Sequence, residues 1–220
     1  MTDVTTLHVR GSAEAEFPPD YAVVSVRISD LKRTSEAAFA ACEPRVTEVR
    51  TRAEAIAGVR RVVLSRVHVA EEFEWRNDPP PGRQVSTGWR ATVSGSLELD
   101  TAAVDDTLAE LSAAGVEIGG VWWQLDRDHP GFRQVRTEAV ADAFRAAEDF
   151  AVALGRDLGE LTVLADSGLL AAGGGGGGEQ PVARMALKME GAAPGGAALP
   201  ATDPAPQRLA AQVEATFALK

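Results

Sequence analysis

Few residues in this chain have the types and spacing needed for chemistry. Asp126-Arg127-Asp128-His129 runs directly into Pro130. A histidine beside carboxylates has the groups needed for general-base catalysis or for a metal site. The same run before a proline also spells a strand-to-helix turn, in which Asp or His caps the helix that follows. A second group is His68 with Glu71, Glu72 and Glu74. Carboxylates with an imidazole suit a divalent cation. His68, Glu72 and Glu74 also alternate onto one side of a strand, as a solvated charged face does. The four tryptophans Trp75, Trp89, Trp122 and Trp123 offer flat apolar area for a ligand or an interface. Trp122 and Trp123 are adjacent, so in a strand they point to opposite faces and at least one stands off the main core.

Other nucleophile and phosphate signals fall away. The single cysteine, Cys42, sits on an apolar helical stripe with no histidine at a recognisable spacing, which reads as a buried, inert thiol. One cysteine also excludes an internal disulfide framework. Gly173 to Gly178 form a run of six glycines, but no Lys-Ser/Thr pair follows as a phosphate loop requires. A Gly-x-Ser-x-Gly elbow is absent. Pro79-Pro80-Pro81 reads as a stiff hairpin tip. No catalytic, cofactor-binding or metal-binding set is assigned, and no cofactor is expected. With 22 basic and 32 acidic residues among 220, the formal charge is −10. That opposes general nucleic-acid binding and docking on anionic membranes. No stretch reaches the ~18 apolar residues of a membrane span. The opening residues show neither a basic start nor an apolar run, so a cytoplasmic location is expected, with no membrane insertion.

The elements that must position these residues are legible as periodicities. From Leu7 to Phe17 apolar and polar residues alternate, as in a half-buried strand. Pro18-Pro19-Asp20 breaks it. A second strand places Ala22, Val24, Val26 and Ile28 inward, and the two strands are expected to form a hairpin. Residues 34–57 show helical spacing, with Phe39, Cys42, Val46, Val49, Ala53 and Ile56 in one stripe. Gly58 follows, and Pro44 is expected to kink this helix. A third strand runs Val63, Val67, Val69, Phe73, Trp75. A fourth carries Trp89, Ala91, Val93, Gly95, Leu97 and Leu99, in a register that sets Trp75 opposite Trp89. Asp100 or Thr101 caps a short helix with Val104, Leu108 and Leu111 inward, ended by Gly115. Val116 to Arg127 is a fifth strand. A long helix follows Pro130, with the stripe Phe132, Val135, Ala139, Ala143, Ala146, Phe150, Leu154. Leu161 to Ala165 is a sixth strand. The Gly/Pro/Ala-rich residues 166–206 form a flexible internal loop, and 207–219 return as a terminal strand. The chain is therefore expected to be one α+β domain over residues 1–220, a mainly antiparallel sheet with helices packed on one face. Its order is β-β-α-β-β-α-β-α-β-(long loop)-β.

In that order, four features resemble the SIMPL-domain family, a bacterial group of largely unknown function. They are the opening strand with Gly11, then Pro19-Asp20 and the strand from Val23 to Ile28; the strand from Val67 to Trp75 with its restart at Gly88-Trp89-Arg90-Ala91; the alanine-rich helix ending Ala151-Val152-Ala153-Leu154-Gly155, before Leu158-Gly159; and the terminal valine/alanine strand. The resemblance implies an α+β fold, a tendency to self-assemble, and links to envelope or stress physiology. It supplies no catalytic residues. The expected role is non-enzymatic self-association or binding of another protein, through strand edges and exposed tryptophan. The alternative is a small apolar-ligand binder or enzyme using a groove between the sheet and the kinked first helix.

Overall fold

Alternation in the strands and small residues on the helices build two antiparallel sheets, each covered by helix on one face. The computed structural model describes residues 5–77, 82–166 and 203–220. The strands are β1 (Thr6–Phe17), β2 (Tyr21–Lys32), β3 (Val59–Leu64), β4 (His68–Arg76), β5 (Arg83–Asp100), β6 (Glu117–Gln124), β7 (Leu158–Asp166) and β8 (Gln207–Leu219). The helices are α1 (Ser35–Ala55), α2 (Val104–Ala113, entered through a 3-10 turn at Thr101–Ala103) and α3 (Gly131–Ala153). The glycine run, most of the expected 166–206 loop, and Pro79, Pro80 and Pro81 lie outside the described residues. The described residues cluster into two compact units.

The larger unit holds a five-stranded sheet with β3 and β4 both on one side of β5, then β2 and β6. Ala22, Val24, Val26 and Ile28 of β2 meet Ala91, Val93, Leu97 and Leu99 of β5 in one buried layer. Ala38, Cys42, Val49 and Ala53 of α1 and Val104, Leu108 and Leu111 of α2 cover it. Thr34 caps α1, its hydroxyl accepting the Ala37 amide at 3.2 Å. The α1 stripe starts at Ala38 rather than at the expected Phe39, which is 43% exposed. The helix runs continuously through Pro44. Arg45 fixes its position: Nη1 donates to the Ser29 carbonyl and to Asp30 (2.8 Å), and Nη2 to the Gly115 carbonyl. Asp100 does not cap the next helix with its side chain; its carboxylate takes Arg60 Nε at 2.6 Å instead. Gly115, with φ +73, ends α2 as expected, in a conformation glycine adopts freely.

The expected third strand is two. Val62 and Leu64 of β3 pack on the core, whereas Val63 faces out. Val67 and Val69 then resume the inward face with the opposite parity. The break falls at Ser65, whose amide donates to the Ser94 carbonyl (2.8 Å) and whose hydroxyl accepts the Ser94 amide (3.1 Å). The β4–β5 register also differs from the expected one. Arg76 pairs with Arg83, so Trp75 lies opposite Gln84 and Glu71 opposite Trp89. The ladder runs out to the Arg76–Arg83 pair, and an extra β5 residue, Thr87, interrupts it between the Glu72–Gly88 and Phe73–Ser86 pairs.

The smaller unit holds the sheet β1-β8-β7 with α3 on one face. β1 takes β8 as its partner over its whole length, Thr6 opposite Ala218 and Phe17 opposite Gln207, so the expected hairpin with β2 is not formed. The terminal strand does return to a sheet, as the central strand between β1 and β7. The buried stripe of α3 is Gly131, Val135, Ala139, Ala143, Ala147 and Ala151. Phe150 and Leu154, expected on that stripe, are exposed. Small side chains let the helix axis approach the sheet, and Gly11 of β1 lies under Ala139 and Ala143. Val9, Ala215 and Phe217 complete the core, with Phe144 edge-on to Phe217 at 4.9 Å.

Among the described residues one buried side-chain polar atom lacks a protein partner. The hydroxyl of Thr107, on the inward face of α2 and fully buried, has no hydrogen-bond partner among the described residues. Thr107→Val keeps the shape and removes a buried hydroxyl without a protein partner, so it is expected to stabilise the protein by about 1 kcal/mol in urea unfolding.

Candidate interaction surface

The most exposed large aromatics of the larger unit stand on the β4–β5 arm. Side chains alternate along β4, so Val69, Glu71, Phe73 and Trp75 share one face, and the register adds Ala91, Trp89, Ser86 and Gln84 opposite them. At the base of this face Val69 and Trp89 pack on the core. Further out, Phe73 is 54% and Trp75 65% exposed, and the Trp75 indole lies against Gly82. Among the described residues, the outer part of this apolar face, Phe73 and Trp75, is the part left open to solvent.

The other face of the arm is charged. Glu72 and Arg90 form a bidentate pair, with Arg90 Nη2 3.0 Å from Glu72 Oε2 and a second bond from Arg90 Nε to Glu72 Oε1. Arg90 Nη1 also reaches the Ser29 hydroxyl (3.4 Å), which donates to Glu117 at 2.8 Å. The result is a polar ladder across β4, β5, β2 and β6. The hydrogen bonds from Arg90 hold the Glu72 carboxyl below the usual carboxylate range. Because the folded-state value is depressed, this pair stabilises the fold fully above the unfolded carboxylate value of about 4.3, and the contribution is lost as pH falls through the folded value. Arg90→Met is expected to flatten the fall in stability on acidification below that value, read by urea unfolding across a pH series.

The other sequence candidates are dispersed. Trp122 and Trp123 lie on β6, at the opposite edge of the sheet from β4. Trp123 is buried at 7% exposure; Trp122 takes the other face, half-buried, its ring over Gly120. Asp126, Asp128 and His129 form the turn before α3. The His129 amide donates to the Asp126 carbonyl (3.0 Å), and its Nδ1 accepts the Gly131 amide at 3.1 Å, with the ring edge-on to Phe17. His129 thus serves the first amide of α3 from just outside the N-cap, Pro130, and Asp128 is exposed. His68 is exposed at the start of β4, Glu74 pairs with Arg76 at 3.3 Å, and Glu71 sits on the opposite face. Among the described residues no three His, Cys, Asp or Glu side chains group closely enough to hold a metal ion. Burial pushes the Cys42 thiol up, and the Asp30 carboxylate adds to the effect, so thiolate formation is suppressed. In the smaller unit an open depression of about 390 Å³ is lined by His8, Val9, Arg10, Glu214 and Ala215, with His8 Nδ1 2.8 Å from the Thr216 hydroxyl. It contains a histidine and no tryptophan.

Phe73 and Glu71 were not singled out together by sequence, because the expected register moved Phe73 into the core. Gly88, with φ +136, stands at the one-residue irregularity between the Glu72–Gly88 and Phe73–Ser86 pairs, beyond the Glu71–Trp89 pair.

Antiparallel sheets with helix on one face define an α+β protein. The chain matches the model of the SIMPL family, described as a protein of unknown function (DUF541), over residues 7–217, and it belongs to that family. No curated protein matches it. Among the described residues no helix is long and apolar enough to cross a membrane.

Proposed function

We propose that this protein is a non-catalytic binding module, one domain of its family, that associates with itself or with another protein through the β4–β5 arm. The observation that carries this is the exposure of Phe73 and Trp75 side by side on one uncovered face. Aromatic side chains bury large rigid area at low entropic cost and dominate interface energetics. The tendency to self-assemble implied by the family resemblance supports the same reading.

The test is light scattering coupled to gel filtration, with affinity capture using wild type and the double variant Phe73→Ser, Trp75→Ser. Both residues are exposed, so the variant is expected to melt as wild type does. Its association is expected to weaken by about thirtyfold or more, the equivalent of one interface anchor of about 2 kcal/mol. A wild-type monomer at high micromolar concentration that captures nothing, or a double variant that associates unchanged, would refute the proposal.

A further inference from the structure

We infer that the aromatic face of the arm receives a cationic side chain, a Lys ammonium or Arg guanidinium, presented by a partner protein, with Glu71 as its counter-charge. This rests on the arm being an interaction surface and adds the chemistry that the surface selects. Glu71 lies directly opposite Trp89, and Phe73 and Trp75 follow it along the same face. Its side chain is half-buried and makes no hydrogen bond or ion pair among the described residues. A carboxylate partly withdrawn from water is normally paired.

Three cations of the arm and its neighbour β2, namely Arg90, Arg76 and Lys32, have other partners. Arg90 holds Glu72 and Arg76 holds Glu74, both on the opposite face. Lys32, across β5 from Glu71 and next to Trp89 in the register, has its Nζ 3.8 Å from Asp30. Aromatic faces attract cations through the negative charge of their π clouds, with tryptophan the strongest, and desolvation strengthens the attraction. A carboxylate set among Trp89, Phe73 and Trp75 therefore favours a positive group. An apolar occupant would leave Glu71 dry and unpaired, and an anion would meet like charge.

The experiment follows the indole N–H signals of Trp75 and Trp89 in the labelled full chain. The probe is a blocked Gly-Gly-Arg-Gly-Gly peptide, with its lysine counterpart and a citrulline version that keeps the shape and loses the charge. Saturable shifts are expected with Arg and Lys, at least about tenfold weaker with citrulline, a difference of about 1.4 kcal/mol. Glu71→Gln is expected to weaken the Arg peptide by a similar factor, whereas Glu74→Gln, on the other face, leaves it unchanged. Equal binding of the Arg and citrulline peptides, an unaffected Glu71→Gln variant, or no saturable shift would each overturn the inference. If the Phe73→Ser, Trp75→Ser variant still loses association in that event, the interaction surface stands and only its preference for cations fails.

Discussion

Gly11→Ala is expected to unfold the smaller unit. A Cβ placed on Gly11 would stand 2.5 Å from the Ala143 amide nitrogen and 2.8 Å from its Cβ, and closer still to the Ala139 carbonyl oxygen. Two of these three neighbours are helix backbone, which cannot rotate aside as a side chain can. Relief requires α3 to lift from β1, and that opens the layer formed by Val9, Ala147, Ala215 and Phe217. Overpacking of a tight core costs about 1–3 kcal/mol, and a clash with rigid backbone belongs at or above the top of that range. The check is an NMR spectrum of the variant. Loss of dispersed signals from β1, β8 and α3, with those of the larger unit kept, is the expected pattern. A variant with an unchanged spectrum and melting temperature would show that helix and strand do not approach this closely.

The second large effect is Val93→Asp. Val93 is fully buried opposite Ile28 in the central β5–β2 pair. Losing its burial costs about 2 kcal/mol, and an unpaired carboxylate in that layer adds several more. The sum is comparable to the whole stability of a typical domain, about 5–15 kcal/mol. The larger unit is expected to lose cooperative melting in calorimetry. Ser94→Asp is the control: the next residue faces solvent, and its substitution is expected to leave melting nearly unchanged. Cooperative melting of Val93→Asp would mean that the alternation of β5 is out of phase with the core.

Alternation and helical spacing made most of the elements readable, because burial on one side imposes a period of two on strands and 3.6 on helices. Leu7 to Phe17, Ala22 to Ile28, Ala91 to Leu99, and Val104, Leu108 and Leu111 all fall where periodicity puts them. Pairing was less readable. The apolar faces of β1, β2, β5 and β8 are chemically alike, so alternation says which side of a strand is buried but not which strand lies beside it. Proximity in sequence favoured a β1–β2 hairpin; Pro18-Pro19 carries the chain out of one sheet and into the other. The α3 face misled for a related reason. The helix has alanines on more than one side, and the eye follows Phe150 and Leu154, whereas close approach at Gly11 selects the smallest side chains. The arm was half legible: Trp75 was a candidate surface residue, but only the true register puts Glu71 beside Trp89.

The partnership of β1 with β8 has a kinetic side. Every strand and helix of the larger unit lies between residues 19 and 125, so its contacts can close while the rest of the chain is still being made. The smaller unit joins residue 6 to residue 218, a ladder whose two rails are separated by most of the polypeptide. Loop closure on that scale is slow. β1 therefore lacks its ladder partner until residues 207–219 have been made, nearly two hundred residues after it.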